Sequence, residues 1–223
     1  MNSTASCTDG AAMVYVVDDD ASVRAAIEDL LASVGLQTQG FGATADFVAH
    51  WHQHGGSAPA CLVLDIRMPG QSGLDFQRQM QAQGVQLPVI FVTGHGDIPM
   101  SVQAMKGGAI EFLTKPFRDQ DLLDAIQQGI ACDCARRVQA AAVQSLQTQW
   151  ESLTQGEQDV VRGVVAGQLN KQVAATLGVS EITVKVRRAQ AMRKLQVKTL
   201  AELVRVVDRL GLGNAAGAGG AAG

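Results

Sequence analysis

The chain has 223 residues, 47% of them hydrophobic, with 18 Lys and Arg against 21 Asp and Glu, for a net charge of −3. No stretch approaches the roughly 20 consecutive apolar residues of a membrane span. The start, MNSTASCTDGAA, lacks the basic-then-apolar order of a secretory signal.

The small net charge hides an asymmetry. Residues 1–128 carry 6 basic against 14 acidic side chains, whereas residues 151–223 carry 10 against 6. An acidic first part joined to a basic second part points to two domains with different partners. The four cysteines (Cys7, Cys61, Cys132 and Cys134) make no metal-type CxxC pair. They are expected as reduced thiols in a cytoplasm, with the Cys132-x-Cys134 spacing incidental.

In chain order, residues 1–12 are small, polar and expected to be disordered. MVYVV (13–17) then reads as a buried strand, as do CLVL (61–64), VIFV (89–92) and IEFLT (110–114). QTQGF (37–41) is a weaker strand candidate. Between them lie amphipathic stretches at Ser22–Val34, Asp46–Gln53, Gly73–Gln83, Pro99–Lys106 and Asp119–Ala131. Strand and helix alternating at this spacing predict a doubly wound, five-stranded parallel sheet with helices on both faces. Ser72-x-x-Asp75 caps one of these helices, and Asp97 before Pro99 opens another.

Residues 128–150, rich in Ala, Gln and Arg, read as a helical linker. The second part is all helical. Thr154-x-x-Glu157 is a capping box opening a helix to about Ala166, and Gly167 stops it. Asn170–Leu177 forms a short helix ended by Gly178. Ser180 caps a longer one to about Gln196, and Thr199-x-x-Glu202 caps a fourth to about Leu210. Two helices separated by Leu-Gly-Val-Ser form a helix-turn-helix signature, so a four-helix domain is expected at 151–211. The tail beyond, 212–223, has nothing to bury and is expected to be disordered.

The chemistry lies at the strand ends. In a parallel sheet, ligands bind beyond the carboxyl ends of the strands. Val17 precedes Asp18-Asp19-Asp20, and Leu64 precedes Asp65. VIFV is followed by Thr93, and IEFLT by Lys115-Pro116. Several carboxylates suit a hard cation such as Mg²⁺. Acids, a hydroxyl and a lysine around such a cation form a site for a phosphoryl group, and a carboxylate there can act as nucleophile.

DDD at 18–20, LDIRMPGQSGLD at 64–75 and TGHGDIPMSVQAMKGGAIEFLTKPF at 93–117 resemble a response-regulator receiver domain of the FixJ-like branch. The resemblance covers about residues 13–127. It implies a CheY-like sheet of order 2-1-3-4-5 with Asp65 as phosphoacceptor. Asp18 and Asp19 would be the acidic pair, and Asp19, Asp65 and the backbone carbonyl of Arg67 would hold Mg²⁺. Lys115 would pair with the phosphate, across a cis Lys115–Pro116 bond. Thr93 would donate to a phosphate oxygen, and Phe112 would be the aromatic that rotates with it. Asp20 is expected as a helix cap.

Residues 181–198 hold Lys185, Arg187, Arg188, Arg193, Lys194 and Lys198 against the single acid Glu181. A basic helix after such a turn can meet a phosphate backbone. LTQGEQDVVRGVVAGQLNKQVAATLGVSEITVKVRRAQAMRKLQVKTLAELV (153–204) resembles the LuxR/NarL-type DNA-binding domain. Lys185 and Arg188 are the leading candidates for DNA contact, followed by Arg187, with Asn170 and Lys171 on the DNA backbone. Two departures stand out. LTxRE reads LTQGE, so Gly156 replaces an arginine, and VKVHR reads VKVRR, so Arg187 replaces a histidine. Val173, Ala174, Leu177, Val179, Val184 and Leu195 are expected in this domain's core.

Together the resemblances imply a two-component response regulator rather than an enzyme, whose receiver catalyses only its own phosphotransfer and dephosphorylation. A sensor histidine kinase would phosphorylate it, promoting a homodimer that binds promoter DNA. RNA polymerase is a further partner and membrane is not. Two other readings exist. Val16–Asp20 also fits the opening of haloacid-dehalogenase-type phosphatases, with Asp18 as nucleophile, but that leaves Asp65 and the helical domain without a role. Alternatively, a receiver could act through protein or RNA contact instead of DNA.

Overall fold

A computed structural model describes residues 12–94 and 96–212. The expectations of disorder at 1–12 and 212–223 therefore lie almost wholly outside the described residues. The first compact unit ends at Arg137 and the second begins at Val138.

Five strands alternate with helices in the first unit: β1 (Met13–Val17), α1 (Ala21–Ser33), β2 (Gln37–Phe41), α2 (Thr44–His54), β3 (Ala60–Asp65), α3 (Gly73–Gln79), β4 (Val89–Thr93), α4 (Ile98–Lys106), β5 (Glu111–Thr114) and α5 (Asp119–Glu151). All pairings are parallel, in the order β2-β1-β3-β4-β5. The weak candidate QTQGF is a strand because it pairs residue for residue with β1, Met13 opposite Gln37 through Val17 opposite Phe41.

Side chains alternate between the sheet's faces at every residue, which divides the core in two. Tyr15, Val17, Leu62, Leu64, Val89 and Phe91 pack against Phe47, Phe76 and Ala104 of α2, α3 and α4. Val14, Val16, Cys61, Val63, Ile90 and Val92 pack against Ile27 and Leu31 of α1 and Leu122 and Ile126 of α5. Both faces are covered, so β1, β3 and β4 read as unbroken apolar runs rather than alternating ones.

α3 stops four residues short of the expected Gln83. The chain turns after Met80, where the Val85 amide bonds back to the Met80 carbonyl and Gly84 takes φ +69°. That turn buries Met80, Val85 and Leu87 in one cluster. α5, by contrast, runs on without a break for 33 residues. Gly129 does not end it. A Cβ there would lie 3.0 Å from Cys61 Cβ, so this glycine serves close approach of α5 to β3.

α6 (Gln155–Val165), α7 (Asn170–Leu177), α8 (Glu181–Lys194) and α9 (Leu200–Arg209) make up the second unit together with the end of α5. Reciprocal capping boxes open α6 and α9, and Ser180 caps α8. Gly178 ends α7 in the left-handed conformation at φ +65°, which a Cβ would strain. Val160, Val164, Val173, Ala174 and Val184 form one core cluster, with Leu177 and Val179 packed at its edge. Trp150, Leu153, Val161, Leu195, Leu203 and Val207 form another.

Cys61 is a buried free thiol and Cys132 an exposed one, as expected, whereas Cys7 lies outside the described residues. Burial, and then the nearby Asp133 charge, push the Cys61 thiol up to about 12.

Candidate functional site: an acidic strand-end cluster and a basic helix

The three aspartates at the end of β1 have three different positions. Asp18 is buried: one carboxylate oxygen accepts from the Asp20 amide at 3.0 Å and the other from Lys115 Nζ at 2.5 Å. Asp19 is exposed. Asp20 caps α1, accepting from the amides of Ser22 (2.8 Å) and Val23 (3.4 Å). Those amide bonds hold its carboxyl below the usual range. The run tolerates three like charges because one is paired, one is solvated and one is spent on the helix start.

Asp65 ends β3, beside β1, and is buried. Its Oδ2 lies 3.6 Å from Lys115 Nζ, and Oδ1 accepts from the Arg67 amide at 3.3 Å. Burial pushes the Asp65 carboxyl up, Lys115 pulls it down, and the Asp18 charge pushes it up again; the net direction is upward. Asp18, Asp19 and Asp65 each offer an oxygen within 4.8 Å of the others. Hard oxygen donors at this spacing fit a small divalent cation.

Thr93 ends β4, fully buried, and opposes Thr114 across the β4–β5 pair. The Lys115–Pro116 bond is cis, and it follows β5 at the point where Lys115 turns toward Asp18. Phe112 is partly buried and packs against the α2–α3–α4 side of the core. Strand order thus brings Asp18, Asp65, Thr93 and Lys115 from four chain segments to one edge.

Two glycines here were not singled out from sequence. A Cβ on Gly73, the first residue of α3, would lie 2.2 Å from the Asp65 carbonyl oxygen. A Cβ on Gly96, in the loop after β4, would lie 2.6 Å from Thr114 Cγ2 and 2.9 Å from Phe112 Cε1. Gly73 lets α3 start against the Asp65 backbone, and Gly96 lets the loop after Thr93 rest on Phe112. Neither signal is local, since each depends on a distant segment.

In the second unit, α8 buries Val184 and Ala191. Its opposite face exposes Ile182, Lys185, Val186, Ala189 and Arg193. Lys185 pairs with Glu181 at 3.2 Å in an exposed geometry. Arg187 and Arg188 are only partly exposed and flank the buried stripe. Asn170 and Lys171 begin α7; Asn170 is partly exposed and Lys171 exposed. Ile182 and Val186 were overlooked because apolar residues on a helix normally mark its buried side; here they are 74% and 50% exposed.

Comparison with known proteins gives the same division. Residues 14–127 match the response regulator receiver domain, and residues 151–207 match the luxR family of bacterial regulatory proteins. The first match overturns the phosphatase reading of Asp18. The chain is 46% identical over 201 residues to Nodulation protein W of Bradyrhizobium diazoefficiens, covering 90% of this chain and 87% of that protein. It is 45% identical over 203 residues to the response regulator protein TodT of Pseudomonas putida, covering 91% and 88%. Among solved structures it is similar to the response regulator StyR at 45% identity and a TM-score of 0.73, covering 90% of this chain and all of that one.

Proposed function

The chain belongs to the FixJ-like response regulators, pairing a receiver domain with a LuxR-type DNA-binding domain, and from that membership we propose that Asp65 is the residue phosphorylated to control DNA binding. It is a two-component regulator of transcription. Relatives that regulate transcription favour DNA over RNA or protein as the target of the second domain.

The observation that carries the Asp65 assignment is the oxygen cluster of Asp18, Asp19 and Asp65 with Lys115 Nζ 3.6 Å from the Asp65 carboxylate. In the proposed reaction an Asp65 oxygen attacks the phosphorus of a phosphohistidine on a partner kinase. The O–P bond forms, the N–P bond breaks, and the histidine leaves with its electron pair. Asp18, Asp19, Asp65 and the Arg67 carbonyl would hold Mg²⁺, which supplies positive charge for the phosphoryl oxygens when bound. Lys115, now 2.5 Å from Asp18, adds a second cation that can turn to the phosphoryl group. Thr93 donates its hydroxyl to a phosphoryl oxygen, which draws in the loop that rests on Phe112. A modification adding about −1.5 to −2 charge thereby reaches a packed aromatic.

The proposed outcome is a homodimer that docks α8 on promoter DNA in the cytoplasm, where RNA polymerase is recruited. Lys185 and Arg188 make phosphate or base contacts, Asn170 and Lys171 contact the backbone, and the exposed Ile182 and Val186 face thymine methyl groups. The receiver's chemistry is confined to gaining and losing its own phosphoryl group. Labelling with acetyl phosphate tests the assignment: wild type gains one acid-labile phosphate and Asp65→Asn gains none. Equal labelling of both proteins rejects Asp65.

A further inference from the structure

The two departures from the LuxR/NarL-type pattern, Gly156 and Arg187, lie 31 positions apart in the sequence and touch in the structure. A Cβ on Gly156 would stand 2.7 Å from Nη1, 2.8 Å from Cζ and 3.2 Å from Nε of Arg187. The guanidinium therefore occupies the space that any other residue at 156 would fill. Where the pattern has arginine on α6 and histidine on α8, this chain has glycine on α6 and arginine on α8.

The surroundings identify this flank of α8 as the one that meets α6. Lys194 is two helical turns beyond Arg187 and so on the same side. Its ammonium binds Glu157 at 2.7 Å and the Ser152 carbonyl at 3.2 Å. Lys185, two residues before Arg187, points about 200° away around the helix, on the exposed face. Among the described residues Arg187 makes no ion pair or hydrogen bond of the kind Lys194 makes. Its place is set by shape, through the missing side chain at 156.

We infer that Gly156 and Arg187 act as one pair: Gly156 seats the Arg187 guanidinium on α6, making Arg187 a positioning residue of the α6–α8 contact and withholding it from DNA phosphates. This rests on the DNA-binding reading of the second domain. It removes Arg187 from the phosphate and base contacts and leaves them to Lys185, Arg188 and the start of α7.

The test is a double-mutant cycle on the full chain: wild type, Gly156→Ala, Arg187→Ala and the double variant. Alanine suits a helical position better than glycine, and the atoms it displaces are the end of a flexible side chain, so Gly156→Ala folds. Affinity for a mixed-sequence duplex of about 30 base pairs is measured against salt, because the phosphate contribution is independent of sequence. Arg187→Ala is expected to keep the wild-type log–log slope; a fall of about 0.9, one lost phosphate contact, overturns the proposal. Gly156→Ala is expected to change affinity by about twofold or more when Arg187 is present and not when residue 187 is alanine, as for touching residues. An equal effect in both backgrounds, or none in either, also overturns it. Failure of wild type to bind the duplex at low salt sinks the DNA-binding reading itself, and this pair with it.

Discussion

Gly73 is where a single missing methyl group bears most directly on chemistry. Its alanine variant would drive a Cβ to within 2.2 Å of the Asp65 carbonyl oxygen and 3.1 Å of the Ile66 Cα, both backbone atoms that cannot swing aside. Gly73→Ala is expected to shift the end of β3 and slow acetyl-phosphate labelling by about 10- to 100-fold, the scale of an ångström-level misplacement. Wild-type labelling rates would refute this. Glu157 is the counterpart in the second unit. Burial works to raise its carboxyl, but the bonds from Lys194 and Thr154 win and hold it below the usual range. A depressed carboxyl contributes stability above its unfolded-state value and loses it as pH falls through the folded-state value. Glu157→Gln is therefore expected to cost the second unit about 1–2 kcal/mol at neutral pH. That difference should close as the solution is acidified, as followed by denaturant melts at several pH values.

At the scale of elements, α5 holds an unusual buried charge. Asp133 is fully buried, yet it accepts from the Ala60 amide at 3.0 Å and from Arg136 and Arg137 at 2.6 Å each. Arg137 also donates to the Gly56 carbonyl and Arg136 to Gln86. This network fastens α5 to the start of β3, at the end of the sheet away from Asp65, just before the first unit ends. Asp133→Ala leaves the buried Ala60 amide without its acceptor and two partly exposed guanidinium groups without their partner, and is expected to cost about 1–3 kcal/mol of receiver stability. A thermal midpoint equal to wild type would contradict that role. Nothing in the sequence marked Asp133, because an acid followed by two arginines on a helix reads as a solvated face. The elements themselves were legible. Apolar runs located the strands, caps at Asp20, Asp97, Thr154, Ser180 and Thr199 located helix starts, and glycines located several ends. Where a glycine served close approach instead, as at Gly129, it gave no stop.

For the whole molecule, the proposed phosphoryl chemistry belongs to the first unit and the proposed DNA chemistry to the second. Removing divalent cations should therefore separate them. With a chelator present, acetyl phosphate is expected to label the chain at least about 100-fold more slowly, since the phosphoryl charge then lacks its main counter-ion. The second unit should keep its melting transition, because its cores are made of apolar side chains and its caps of backbone and carboxylate bonds. Undiminished labelling without divalent cation would remove the metal from the reading.

By itself the sequence determined the alternation of strands and helices, the two-part division of charge, and the chemical identity of Asp18, Asp65, Thr93 and Lys115. These follow from local periodicity and from residue type at strand ends. Tertiary structure alone decided that Asp18 pairs with Lys115 while Asp19 beside it stays solvated. It also placed Gly73 under Asp65, Gly96 on Phe112 and Arg187 on Gly156, and buried Asp133. The physical reason is common to them all: each depends on the distance between segments far apart in the chain, and local pattern carries no measure of that distance.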